Sequence, residues 1–210
     1  FLTPLAILAS FSVTDRVKPY MMLFLFLETG MLGVFLALDL LIFFVFWEIG
    51  LVPMYFLINQ WGSANRDYAS LKFMIYTMGG SLGLLLAVQM LGVLFGTYDL
   101  VALYQQWNSL SADTILMGMS VGTVKTIAFW AFAIAFAVKV PLWPFHTWLP
   151  DAHTEAPTAG SMLLAGVLLK LGAYGFIRLV LPLYPLEAKI FAGALAFLAV
   201  GAIVFGAFGS

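Results

Sequence analysis

The sequence predicts an all-α, polytopic transmembrane helix bundle, and three observations carry that prediction. Hydrophobic residues make up 63% of the 210 positions and charged residues only 9%. A soluble domain is roughly 45–50% apolar and about 25% charged. The apolar residues fall in long unbroken runs, and a helix needs about 20 of them to cross a bilayer. None of the runs alternates as a barrel strand would. The formal net charge of −1 and the lack of any Lys/Arg cluster exclude a nucleic-acid partner. With 0 cysteines the chain has no disulfide framework, thiolate zinc site or cysteine-held iron–sulfur cluster.

The chain opens in the apolar run Phe1 to Val13, too short to span, and closes in another, Ile190 to Ser210. No basic segment or small-residue cleavage site marks a signal peptide. The expectation is an internal piece of a longer membrane protein. Tyr20–Leu38 is the first predicted span, with one charge at Glu28. Leu40–Asn59 is the second, with one charge at Glu48, joined to the first through Asp39 alone. Gln60–Asp67 is a polar loop, and Tyr68–Gly96 is a long helix with Lys72 near its start. Thr97–Thr123 carries Asp99, Gln105, Gln106, Asn108 and Asp113, which predicts a loop with a surface helix.

Val124–Pro150 spans again but holds Lys139, Pro141, Pro144 and His146, so a break is predicted between about Val138 and Phe145. Asp151–Glu155 reads as a solvated link. Ala156–Val180 spans with Lys170 near its middle, and Pro182 and Pro185 mark a turn before a last helix from about Ala188. The face bearing Asp15, Arg16, Lys18, Arg66 and Lys72 is called side A, and that bearing Asp39 is side B. The positive charges favour side A as cytoplasmic, whereas Arg178 and Lys189 on side B oppose it.

Three ionisable groups lie in otherwise uncharged runs. A charge near the bilayer centre costs about 2.5–3.5 kcal/mol on insertion scales, so such a group needs a partner or a wet cavity. Glu48 reads either as a proton-exchanging carboxylate or as half of a structural ion pair. Lys139 sits just before Pro141, and the two prolines free the carbonyls of Ala137 and Val140 within a turn of its ammonium. A broken helix at membrane depth is tolerated where it lines a cavity. Lysine is also a basic side chain that gives up its proton readily on burial. This is the profile of a proton carrier, against the alternative of a lysine snorkelling to the interface. Lys170 lies between Gly166 and Gly172, too central to snorkel easily, and is expected to point inward toward Lys139. His146 reads equally as a proton relay or a hydrogen-bonded structural residue. His146 and His153 lack metal-site spacing, and no nucleotide-binding motif or nucleophile elbow is present.

The run Lys139-Val140-Pro141-Leu142-Trp143-Pro144-Phe145-His146-Thr147-Trp148-Leu149-Pro150-Asp151-Ala152-His153-Thr154-Glu155-Ala156-Pro157-Thr158-Ala159-Gly160-Ser161 resembles the signature of the antiporter-like membrane subunits of respiratory complex I, the proton-pumping NADH:quinone oxidoreductase. The Ala-Pro-Thr-Ala-Gly-Ser ending is similar to the subunit M (mitochondrial subunit 4) type. Phe46-Trp47-Glu48, Val52-Pro53-Met54-Tyr55-Phe56-Leu57 and Ala165-Gly166-Val167-Leu168-Leu169-Lys170 match the same family in order and spacing.

The resemblance implies a fold of two inverted repeats, each with a discontinuous helix. Residues 1–210 would form one transmembrane domain covering roughly the first repeat. It implies a proton pathway through Glu48, Lys139 and Lys170, with His146 as a further candidate. In one state Glu48 and Lys139 would pair closely. Separating them would loosen the lysine's proton, which would move through water toward Lys170. Quinone reduction elsewhere would drive the switch. The chain itself would hold no cofactor or metal. NADH, FMN, iron–sulfur clusters and quinone would belong to partner subunits. The expected partners are other membrane subunits of that complex, the lipid bilayer, protons and water. The expected location is the bacterial plasma membrane, with the mitochondrial inner membrane as the alternative. Subunits of a multisubunit sodium/proton antiporter or a membrane-bound hydrogenase share the same repeat. A passive membrane scaffold is the reading from a different class.

Overall fold

The computed structural model describes residues 1–116 and 118–208. Five helical stretches in it are long and apolar enough to cross a membrane: Val17–Leu36, Leu40–Trp61, Arg66–Phe95, Val121–Lys139 and Thr158–Leu183. The predicted final helix is present, but Gly209 and Ser210 lie outside the described residues, as does Met117 in the loop region.

A short helix α1 (Leu2–Ala9) ends in one tight turn and leads to α2 (Val17–Leu36). The start of α2 is pinned on side A. The Arg16 guanidinium lies 5.2 Å over the Trp61 ring, and the Trp61 indole N–H donates to the Asp15 carbonyl at 2.9 Å. Asp39 is the N-cap of α3 (Leu40–Ile49), its Oδ1 accepting from the amides of Leu41 and Ile42 at 2.9 Å. The predicted second span is present as Leu40–Trp61, with a one-residue interruption at Gly50 where α3 meets α4 (Leu51–Trp61). Pro53 accounts for the interruption: it offers no N–H to the carbonyl of Ile49 and weakens the ladder there.

Helix α5 (Arg66–Phe95) is 30 residues long and ends at Gly96, whose φ of +63° is a left-handed stop that suits glycine. Asp99 then caps the amphipathic α6 (Leu100–Ser109), accepting from Ala102 N at 2.7 Å. The turns holding Asp39 and Asp99 are stitched together, with Leu40 N donating to Tyr98 O and Leu100 N to Leu38 O. The predicted loop region therefore contains the surface helix and also a small hairpin, β1 (Ile115–Leu116) with β2 (Met119–Ser120).

Helix α7 (Val121–Lys139) runs back antiparallel to α5, placing Val138 against Gly80 and Ala131 against Gly83. It stops at Lys139, and the chain is non-helical until α8 (Trp148–Glu155). The predicted break is thus present, two residues later than expected. Asp151–Glu155 is a helix and not a solvated link. Its Asp151 pairs with Lys72 of α5 at 2.7 Å, and its Glu155 accepts from Asn65 N at 2.9 Å. Those partners lie far away in sequence, which is why the local polarity misled.

The last long span is α9 (Thr158–Leu163), α10 (Leu169–Gly175) and α11 (Leu181–Leu183), joined by wide π turns at Leu164–Leu168 and Phe176–Val180. Short α12 (Pro185–Ile190) and apolar α13 (Ala192–Phe208) follow. Helix α6 is laid over the end of α11: the Tyr104 hydroxyl donates to Arg178 O at 2.5 Å and Asn108 Nδ2 to Pro182 O at 2.8 Å. Large aromatics fill the centre, among them Trp47, Phe132, Phe136 and Tyr184. Leu25, Leu86 and Ile127 face outward, as lipid-facing residues must.

Candidate functional site

Lys139 is the last residue of α7 and is only 3% exposed. Burial follows from the packing of three helices on the end of α7. Val138 lies against α5, and α10 comes so close that a Cβ on Gly172 would stand 2.8 Å from the Phe136 carbonyl and 3.0 Å from the Val140 amide. The Trp47 ring of α3 covers the ammonium at 5.0 Å to its centroid.

The break beside Lys139 is internally satisfied. Pro141 does free the carbonyl of Ala137, but Leu142 N donates to it at 2.8 Å. The Val138 carbonyl accepts from Trp148 Nε1 at 3.0 Å. The expectation that freed carbonyls would serve the lysine is therefore corrected. Lys139 Nζ is buried without a hydrogen-bond partner. The peptide Trp143–Pro144 is cis.

Glu48 lies next to Trp47 in α3, and its Oε1 is likewise buried without a partner. The two charges are within electrostatic reach of each other. They form no direct ion pair: among the described residues the ion pairs are Arg16–Asp15 and Lys72–Asp151. The close Glu48–Lys139 contact implied for one state is replaced here by the indole face. Ser81 of α5 anchors that indole, accepting from Trp47 Nε1 at 3.0 Å and donating to the Thr77 carbonyl at 2.9 Å. Buried Ser81, Trp47 and Lys139 thus lie together with half-buried Glu48, whose Oε1 is enclosed.

His146 falls in the non-helical segment, with Nδ1 buried and unpartnered. It lines a pocket of about 410 Å³ with Trp143, Leu149 and Phe205. His153 bonds to Ser161 at the start of the next span, a structural tie. Among the described residues no cluster of His, Asp or Glu could hold a metal ion.

Lys170 departs from expectation. It is exposed on this chain, and its ammonium turns back to the Ala165 carbonyl at 2.6 Å. The reason is angular. A helix turns about 100° per residue, so Lys170 lies some 200° round from Gly172, and Gly172 faces α7. The π turn at Leu164–Leu168 leaves the Ala165 carbonyl within reach. Sequence reasoning named Trp47 only within a family motif, without a role, and did not name Ser81. The indole beside an intramembrane glutamate was the available signal for the first, and Ser81 had none.

The family described as NADH:quinone oxidoreductase/Mrp antiporter, transmembrane, matches residues 37–210. NADH-quinone oxidoreductase subunit M of Rhodobacter capsulatus is 47% identical over 207 residues, 98% of this chain and 40% of that protein. NADH-ubiquinone oxidoreductase chain 4 of Marchantia polymorpha is 44% identical over 208 residues, 98% of this chain and 39% of that protein. Among solved structures, a chain of respiratory complex I from Thermus thermophilus with bound NADH superposes with a TM-score of 0.79 at 34% identity. That match covers 94% of this chain and 40% of the other. The chain spans about 40% of the length of the relatives it matches.

Proposed function

The chain belongs to the NADH:quinone oxidoreductase/Mrp antiporter transmembrane family, and from that premise we propose that it is part of a proton-translocating membrane subunit of NADH:quinone oxidoreductase. In this reading residues 1–210 make one transmembrane domain that covers roughly the first of two inverted repeats. Its own contribution is proton movement through Glu48, Lys139 and Lys170. The redox groups, NADH, FMN, iron–sulfur clusters and quinone, belong to partner subunits. The bacterial plasma membrane is its place of work.

The observation that carries this reading is the state of Lys139. A buried ammonium with no hydrogen-bond partner, facing an indole and near an unpaired carboxylate oxygen, is costly to keep charged. Such a group exchanges its proton when its surroundings shift by a small amount. Moving the Glu48 carboxylate toward the ammonium favours the proton, and moving it away releases it. Water linking the two groups supplies the route. The exposed face bearing Lys170 is where the pathway continues into the rest of a full-length subunit, and His146 lines a side branch.

The test is whether the full-length protein copurifies with NADH:quinone activity and whether Lys139→Ala lowers proton uptake by the assembled complex. Copurification with a sodium/proton antiporter assembly instead would assign it to the other branch of the family. Unchanged proton flux in the variant would leave a passive scaffold.

A further inference from the structure

The side A ends of α5 and α8 frame a cleft that the Glu48–Lys139–Lys170 pathway does not use. Asn65, Tyr68, Asp151, Thr154 and Glu155 line a cavity of about 270 Å³ there. Tyr68 also lines a second groove, of about 200 Å³, with Leu71, Lys72, Ile75 and Tyr76. That groove follows the outward face of α5, where Leu71 and Ile75 are exposed. Lys72 stands at the junction. Its ammonium donates to Asp151 Oδ2 at 2.7 Å and lies 5.4 Å over the Tyr68 ring. Glu155 is only 9% exposed, and its Oε2 accepts from Asn65 N at 2.9 Å. These bonds use one oxygen of each carboxylate and leave the other to accept, and the lysine gives Asp151 one of its three donors.

The depth of the cleft fits the edge of a bilayer. Helix α5 has 30 residues, about 45 Å at 1.5 Å per residue, against a hydrocarbon core of about 30 Å. Lys72, six residues in, is about 9 Å from the start of α5, close to the border between headgroups and acyl chains. Tyr68 and Tyr76 flank it there, as aromatic rings do at an interface. The polar cavity is smaller than the roughly 300 Å³ at which pockets for small molecules begin, so it suits a headgroup. Two carboxylates against one ammonium favour a cation over a bare anion. Among the described residues no group of His, Asp or Glu could hold a metal ion, which leaves an organic cation.

We propose that this cleft binds a phospholipid of the side A leaflet whose headgroup ends in a primary ammonium, of the phosphatidylethanolamine class. The ammonium donates to Asp151 and Glu155, the phosphate accepts from Lys72, and one acyl chain lies along Leu71 and Ile75. The adjoining apolar groove selects a lipid over a free amine. A trimethylated headgroup has no N–H to donate and leaves the carboxylates unsatisfied. The bound lipid clasps α8 to α5, and α8 begins at Trp148, whose indole donates to the Val138 carbonyl beside Lys139.

The inference needs only a membrane-embedded chain, so it stands or falls apart from the proton pathway. The assembled complex is placed in phosphatidylglycerol vesicles with a trace of phosphatidylethanolamine carrying a photoreactive diazirine in one acyl chain, and the labelled peptides are mapped. The label is expected on the peptide holding Leu71 and Ile75. Unlabelled phosphatidylethanolamine should displace it about tenfold better than phosphatidylcholine, the size of one charge-assisted hydrogen bond. Headgroups methylated once and twice should fall between, in order. Asp151→Asn should bring the two lipids closer together, and Ile75→Trp, which fills the groove, should reduce labelling with any headgroup. Equal displacement by the two lipids in the unaltered complex overturns the proposal. So does the absence of label on that peptide, which would mean that a protein subunit covers the face. If Asp151→Asn fails to assemble, the methylation series in the unaltered complex decides alone. Lys139→Ala should keep the label whatever happens to its pumping, and loss of the label there would overturn the site's independence.

Discussion

The ammonium of Lys139 lies 5.0 Å from the centre of the Trp47 ring, and among the described residues no carboxylate pairs with it. The indole face replaces part of the lost hydration, a contact worth about 2 kcal/mol when desolvated. The ring is itself held by the 3.0 Å bond from its N–H to Ser81. Trp47 and Glu48 are consecutive residues of α3, so a small rotation of that helix changes both neighbours of the ammonium together.

This arrangement predicts a split between two substitutions. Trp47→Phe keeps an aromatic face and loses the anchor to Ser81. Trp47→Leu loses the face as well, and proton uptake by the assembled complex should fall further, by about tenfold if some 1.4 kcal/mol of cation–π stabilisation disappears. Equal losses in both variants would mean that the face does not matter.

The close approach of α10 to α7 predicts strong sensitivity at Gly172. A Cβ there meets backbone atoms of Phe136 and Val140 at 2.8 and 3.0 Å, and these cannot swing away. Gly172→Val should destabilise the subunit by about 1–3 kcal/mol through overpacking. The thermal half-life of the purified complex reports it. Gly79→Ala is the control: a Cβ at Gly79 meets nothing within 4 Å, so that variant should be neutral or slightly stabilising.

Lys72 and Asp151 tie α8 to α5 at 2.7 Å. The pair is partly solvated, so its loss should cost about 1 kcal/mol or less and depend on salt. Lys72→Met, Asp151→Asn and the double variant are compared by thermal unfolding. The pair is real in solution if the double variant loses less than the sum of the singles.

Much of the architecture was legible in the sequence because membrane spans are governed by local hydropathy. The break after Lys139 was legible for the same reason: Pro141 removes a ladder bond whatever surrounds it. The fate of the Ala137 carbonyl was not legible, because Leu142 N reaches it only once the chain has turned. Asp151 and Glu155 read as solvated because their partners, Lys72 and Asn65, are not visible in a local window. Hydropathy placed Lys170 in an apolar span but gave no direction around the helix. Gly172 carried that information, since the smallest residue marks the contact face and Lys170 lies nearly opposite.

For Lys170 the outward direction sharpens an expectation. Lys170→Ala should abolish most proton uptake while the chain still inserts and assembles. Lys170→Arg should recover little, because guanidinium stays protonated across the accessible pH range. Normal uptake in the arginine variant would make Lys170 a fixed positive charge and remove it from the pathway.

The most direct measurement is the number of protons translocated per NADH oxidised by the assembled complex carrying Lys139→Ala, with Lys139→Arg alongside. If Lys139 carries the proton, the ratio falls in both variants although the subunit is inserted and the complex intact. An unchanged ratio in Lys139→Ala would contradict the account outright, and full recovery by Lys139→Arg would reduce the lysine to a structural charge.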